Sequence, residues 1–180
     1  MRTPAPILAL TLALAAFPAA AQQASKAELS RQDRNFAEHA MAGGMMEVQL
    51  GKLADQRAHS DAVKRFGQRM VTDHSAVNEK MTELGSRLGV TAPAQLPGEQ
   101  RRTVDKLAGL SGAEFDHAYM SAMIDDHKKD IGEFRKQADK GDNAELKTLA
   151  QQTLPTLEQH LKLAEDTQSR LGAQQSQVPR

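Results

Sequence analysis

Residues 61–88 read DAVKRFGQRMVTDHSAVNEKMTELGSRL, and this stretch decides the fold. Apolar or small side chains recur along it at steps of four and three, at Val63, Gly67, Met70, Val77, Met81, Leu84 and Leu88. Such spacing gives an α-helix one apolar face. His74 takes the stripe position between Met70 and Val77, near the middle of the segment. The sequence therefore predicts an amphipathic helix with one metal-ligand-type side chain on its buried face.

Three other segments repeat this pattern, each with one ligand-type residue inside an apolar stripe. The stripes run through Phe36, Ala40, Gly43, Glu47, Leu50 and Ala54; through Met120, Ile124, His127, Ile131, Phe134 and Ala138; and through Leu146, Ala150, Thr153, Leu157, His160 and Ala164. Burying an unpartnered polar group costs roughly 1–3 kcal/mol, so Glu47, His127 and His160 need partners in the interior.

The four stripes predict four helices of similar length, with short loops after the first and third. Asp61 is the predicted N-cap of the second helix. A long connection, residues 89–110, follows the second helix; it contains Pro93 and Pro97 and then a segment, 99–107, that favours a short helix. Two helical hairpins joined by one long crossover are typical of ferritin-like bundles. We therefore predict an all-α, ferritin-like four-helix up-down bundle over residues 31–172. A flexible mature N-terminus at 22–30 and a flexible tail at 173–180 are expected to flank it.

The first 21 residues are predicted to be a secretory signal peptide. Arg2 is followed by an apolar run over residues 7–17 and by the small-residue site Ala19-Ala20-Ala21. The run is shorter than a membrane-spanning helix, and no cysteine follows it that could carry a lipid. The expected product is an exported, periplasmic protein without a membrane anchor.

The amino-acid composition limits the kinds of ligand and partner that the protein can bind. The chain has no cysteine, so a metal would be held by His, Asp, Glu or Met. Without Arg2 the mature chain carries 22 basic and 23 acidic residues. This balance has no excess of positive charge of the kind that indicates nucleic-acid binding. A monomer or a homodimer is expected.

Glu47, His74, His127 and His160 each fall near the midpoint of their predicted helix. Antiparallel helices of equal length bring their midpoints to one level, so the four side chains are predicted to converge. One carboxylate and three imidazoles suit zinc, copper or another divalent ion. Asp73 and Asp126 are candidates to accept a hydrogen bond from a histidine on another helix and so orient its ring. The alternative is a structural polar core, in which the same groups hydrogen-bond to one another without metal.

Four sequence blocks resemble signature blocks of a bacterial domain-of-unknown-function family, DUF4142. The blocks are GMMEVQLG (44–51), MVTDH (70–74), FDHAYMSAMIDDH (115–127) and LPTLEQH (154–160). The resemblance spans residues 35–171. It implies an exported ferritin-like four-helix protein, often labelled a predicted outer membrane protein, with no established reaction.

Ferritin-like di-iron proteins place a Glu on two helices and Glu-x-x-His on the other two. Here Val71 and Leu157 stand where those motifs have Glu, so zinc or copper is favoured over a di-iron centre. The leading hypothesis is a non-enzymatic metal-binding or envelope-stress protein. A metal-dependent oxidoreductase and a purely structural or interaction module remain as alternatives.

Overall fold

The structure is a computed structural model that describes residues 28–175. In this range the chain forms five α-helices and, apart from one isolated bridge between Ala58 and Gly112, no β-structure. The helices are α1 (Arg31–Arg57), α2 (Asp61–Leu88), α3 (Gly98–Ala108), α4 (Gly112–Lys140) and α5 (Ala144–Gln175). The prediction of an all-α helical bundle is confirmed. The predicted signal peptide, 1–21, and residues 22–27 of the predicted flexible N-terminus lie outside the described residues.

Two helix ends differ from the sequence prediction. Helix α5 continues to Gln175, past the predicted end at residue 172, because Ala and Gln are good helix formers that carry the helix through Gly172. The remainder of the predicted tail, 176–180, lies outside the described residues. Helix α2 is capped by Ser60, whose Oγ accepts a hydrogen bond from the Ala62 amide at 3.2 Å; Asp61 is the first helical residue.

The apolar core is divided into two clusters. One joins the second halves of α1 and α5 to the first halves of α2 and α4, and it includes Leu50, Phe66 and Met120. The other joins the first halves of α1 and α5 to the second halves of α2 and α4, and it includes Phe36 and Leu157. Between them lies a layer of buried polar side chains at mid-helix. No helix among the described residues is long and apolar enough to cross a membrane.

Two buried aspartates fix the loops at the ends of the helical hairpins. Asp116, at the start of α4, accepts hydrogen bonds from the amides of His59 and Ser60 at 3.0 and 2.8 Å. Asp33, at the start of α1, accepts them from the amides of Asp142 and Asn143 at 3.2 and 2.9 Å. The hairpin of α1 and α2 and the hairpin of α4 and α5 thus each bind the loop of the other through one aspartate. Carboxylates that accept backbone amides in this way are strong partners, so they help to hold the axial register of the bundle.

Helices α1 and α2 approach closely at two glycines. A Cβ placed on Gly51 would lie 2.5 Å from the carbonyl oxygen of Gly67, and one on Gly67 would lie 2.7 Å from the Cβ of Ala54. Only hydrogen fits at these two positions. The contact sets the distance between α1 and α2 one turn from Glu47 in α1 and two turns from His74 in α2.

Candidate metal centre

The polar layer contains Glu47 from α1, His74 from α2, His127 from α4 and His160 from α5. Their exposed fractions are 1%, 4%, 0% and 1% respectively. One nitrogen from each of the three imidazoles can be chosen so that all three lie within 4.8 Å of one another. The ring centroids form a nearly equilateral triangle with sides of 5.6, 5.3 and 5.4 Å. The structure thus brings together all four residues that the stripes singled out.

Glu47 lies between two of the histidines. Its Oε2 atom is 2.6 Å from Nδ1 of His74, a short hydrogen bond in which one of the two groups donates. Its Oε1 atom is 3.5 Å from Nε2 of His127 and has no hydrogen-bond partner among the described residues. The other nitrogen of His74, Nε2, is also buried without a partner in this part of the chain. Two buried polar atoms at the centre are therefore left unsatisfied.

The tautomer of His127 follows from its backbone contact. Its Nδ1 lies 2.9 Å from the carbonyl oxygen of Met123, one turn earlier in α4. A carbonyl oxygen only accepts, so Nδ1 carries the hydrogen. In a neutral imidazole the other nitrogen then has no hydrogen and carries an available lone pair. Nε2 of His127 therefore presents an acceptor to the centre of the bundle.

His160 is oriented in the same way by Asp73. Its Nε2 donates to Oδ2 of Asp73 at 2.8 Å, and the same oxygen accepts from Nε of Arg69 at 3.1 Å. Partial burial acts to raise the pKa of Asp73, but the hydrogen bond and charge of His160, with those of Arg69, outweigh it and lower that pKa. The carboxylate is therefore the acceptor. Nδ1 of neutral His160 then has no hydrogen and carries an available lone pair.

These two lone pairs face each other, because Nε2 of His127 lies 3.4 Å from Nδ1 of His160. A hydrogen bond between them would need an additional proton on one ring. Burial opposes that proton: it lowers the pKa of His127 to about 3, with help from the charges of His74 and His160, and that of His160 to about 4. Burial likewise lowers the pKa of His74 to about 4. At neutral pH the three rings are uncharged and suited to bind a cation.

Two separations between ligand-type atoms match those of ligands on one ion, whereas the 2.6 Å between Glu47 and His74 is a hydrogen-bond distance. A Zn–N bond of about 2.0–2.1 Å with tetrahedral angles places neighbouring ligand nitrogens about 3.3 Å apart. The 3.4 Å between His127 and His160 and the 3.5 Å between His127 and Glu47 are close to this value. The donor set of three imidazoles and one carboxylate fits zinc or divalent copper, and the Asp73 and Met123 contacts are of the kind that orient ligating imidazoles.

Asp126 differs from the prediction that it would accept a hydrogen bond from a histidine. Its Oδ2 atom is buried and has no hydrogen-bond partner among the described residues. One of its carboxylate oxygens instead lies within 4.8 Å of ligand atoms of both Glu47 and His127. Burial, followed by the charge of Glu47, raises the pKa of Asp126 to about 8. Burial also raises the pKa of Glu47 itself.

Sequence reasoning missed two residues beside this centre. Asp130 follows Asp126 by one turn on α4, and burial together with the charges of Glu47 and Asp126 raises its pKa. The i, i+4 spacing of the two aspartates was the signal available in the sequence. Tyr119 is fully buried, and its hydroxyl has no hydrogen-bond partner in the described region; burial and the charge of Glu47 raise its pKa. Tyr119 does not belong to the stripe that begins at Met120, so the stripe gave no such signal.

The fold is shared with two solved structures. One is a fragment of a DUF305 protein from Deinococcus radiodurans, with a TM-score of 0.69 and 17% identity over 79% of this chain and 98% of that one. The other is a predicted secreted DUF305 protein from Streptomyces coelicolor, with a TM-score of 0.67 and 15% identity over 78% and 92%. At such identities the likeness concerns the fold alone.

A search of curated proteins finds no match. The family model described as a domain of unknown function, DUF4142, matches residues 18–167, which contain α1 to α4, most of α5 and every residue of the polar layer. The chain is therefore a member of the DUF4142 family.

Proposed function

We propose that this protein is an exported, periplasmic metal-binding protein without catalytic activity. Its ferritin-like bundle holds one zinc or copper ion at His74, His127, His160 and Glu47. The observation that carries the proposal is the 3.4 Å contact between Nε2 of His127 and Nδ1 of His160. Each of these nitrogens has its lone pair directed at the other, because the opposite nitrogen of each ring donates to Met123 or Asp73.

The unsatisfied atoms support an ion more than a closed polar network. In a structural polar core every buried member finds a partner, since an unpaired one costs roughly 1–3 kcal/mol. Here Oε1 of Glu47 and Nε2 of His74 have no hydrogen-bond partner among the described residues. A divalent cation would satisfy several of these atoms at once and would stabilise the ionised form of Glu47, which burial disfavours.

Two further observations support the ferritin-like topology and the export. The long crossover between α2 and α4 contains α3, and the membership of the two apolar clusters fits α1 and α5 running one way and α2 and α4 the other. The basic and apolar start of the sequence, with its small-residue site, and the predicted secretion of a protein with the same fold favour an extracytoplasmic location.

Elemental analysis of untagged protein purified from the exported fraction tests the metal. We expect about one zinc or copper per chain, and none in a Glu47→Ala/His127→Ala variant whose helical content is checked by circular dichroism. His160→Gln serves as a second variant if the first does not fold. A wild-type protein that retains no metal after dialysis against zinc or copper would instead favour the structural polar core.

A further inference from the structure

An acidic cleft lies between α1, the crossover and α4, with a volume of about 450 Å³. Five carboxylates line it, those of Glu38, Glu99, Asp126, Asp130 and Glu133. The basic or ionisable nitrogen groups in its wall are Lys129 and His39, and both side chains are exposed. The cleft therefore carries an excess of negative charge, which attracts cations from solvent.

The wall of the cleft includes buried as well as exposed residues. Its outer wall includes the exposed Glu38 and Glu99, whereas Gly43 and Ala42 at its inner end are buried. Asp130 lies over Gly43, where a Cβ would be 3.8 Å from Oδ2 of the aspartate. Asp126 lines the cleft and also lies within 4.8 Å of ligand atoms of Glu47 and His127. The inner end of the cleft thus adjoins the metal centre.

Three carboxyl groups lie at or beside this end of the cleft. Glu47 is 1% exposed, and its Oε1 has no hydrogen-bond partner among the described residues. Oδ2 of Asp126 is likewise buried and unpartnered in that region. When ionised, Glu47 and Asp126 repel each other in this partly buried site, and Asp130, one turn after Asp126 on α4, adds a third negative charge. Carboxylate oxygens are the ligands that hard divalent cations prefer.

We propose that Glu47, Asp126 and Asp130 form a second cation site, rich in oxygen ligands and suited to a hard divalent ion such as Mn²⁺, at the inner end of the acidic cleft. The imidazoles of His74 and His160 are not part of it. The proposal rests on the proposed function only in sharing Glu47, whose carboxylate can bridge two neighbouring ions. The carboxylate site binds its ion whether or not the histidines are occupied.

Mn²⁺ titration followed by electron paramagnetic resonance of the free ion tests the site. Metal-stripped protein and protein loaded with one equivalent of zinc are both expected to bind one Mn²⁺ per chain. Asp130→Asn is expected to weaken Mn²⁺ binding at least tenfold and to leave zinc binding unchanged. Asp139→Asn is the matched control, because Asp139 is exposed on the same helix and outside the cleft.

His160→Gln separates this site from the histidine site, since it should remove zinc and retain Mn²⁺. Zinc binding without any Mn²⁺ binding would overturn the second site and leave the proposed function standing. Mn²⁺ binding that is unaffected by Asp130→Asn and by Asp126→Asn would also overturn it, because the ion would lie elsewhere. Mn²⁺ binding with the expected variants but without zinc at the histidines would support this site and reject the proposed function.

Discussion

Nε2 of His160 donates to Oδ2 of Asp73 at 2.8 Å, across the interface between α5 and α2. Asp73 is partly exposed and also accepts from Arg69, whereas His160 is buried at the centre of the bundle. This one contact fixes the tautomer of a buried imidazole from the protein surface. As a consequence, Nδ1 of His160 is unprotonated and faces His127. A nitrogen must be unprotonated to bind a metal ion.

Replacing Asp73 should therefore weaken metal binding without removing a ligand. Asp73→Ala is expected to lower zinc affinity by about 10–100-fold, the usual effect of losing a partner that orients a ligating histidine. Isothermal titration on metal-stripped protein measures this. Asp125→Ala is the control, because Asp125 is exposed on α4. Equal zinc affinities in the wild type and Asp73→Ala would show that His160 does not need this orientation.

Zinc or divalent copper should raise the melting temperature of metal-stripped protein at pH 7.5. An ion at a hundredfold excess over its Kd adds about 2.7 kcal/mol to the free energy of unfolding, or about 5–10 °C for a domain of this size. His127→Ala is expected to abolish the shift, because the central ligand is lost. Thermal unfolding followed by circular dichroism measures both. If no divalent ion changes the melting temperature of the stripped wild type, the metal proposal should be abandoned.

The metal-free protein should lose stability as pH rises from 7.5 to 9. In this window the buried histidines, with folded-state pKa values of about 3 to 4, are uncharged when folded, and unfolded histidines, with an ordinary pKa of about 6.5, are nearly so. Asp126 has a pKa raised to about 8, so at pH 7.5 it is still mostly protonated in the folded state and ionised when unfolded. A raised pKa of a folded-state carboxyl gives stability at low pH that is lost as pH rises through that pKa.

The expected result is a melting temperature lower by a few degrees at pH 9 than at pH 7.5, levelling off above pH 9. Asp126→Asn should show a flatter profile, because it cannot ionise. Thermal unfolding of chelator-treated protein across this range measures the effect. A rising profile in the wild type would mean that Asp126 is already ionised at pH 7.5.

Gly51→Ala should destabilise the bundle even though alanine is the better helix former. The new Cβ would lie 2.5 Å from the carbonyl oxygen of Gly67 and 2.8 Å from a methyl group of Val71. Overpacking of this kind costs typically about 1–3 kcal/mol, against a gain of roughly 1 kcal/mol in helix propensity. Denaturant unfolding measures the difference. Gly132→Ala, in α4 with nothing within 4 Å of a new Cβ, is the matched control and should stabilise.

Local pattern was sufficient for the helices and for the members of the polar layer. The four-and-three spacing around His74 and around His127 fixes which side of each helix is buried, because helical periodicity depends on neighbours within two turns. The helix ends were less well predicted: Ser60 rather than Asp61 caps α2, and α5 runs on to Gln175. Ends depend on single hydrogen bonds that competing residues nearby can equally make.

The sequence by itself determined that Glu47, His74, His127 and His160 lie on apolar helix faces, since that follows from spacing along one helix. Only the tertiary structure decided which atoms meet. Axial register between helices places Asp73 against His160 and leaves Asp126 facing Glu47, although both aspartates directly precede a histidine in the chain. Contacts between helices depend on the distance and offset of their axes. Close packing at Gly51 and the loop contacts of Asp33 and Asp116 help to set this distance and offset. These contacts join residues that are far apart in the sequence, so no local pattern predicts them.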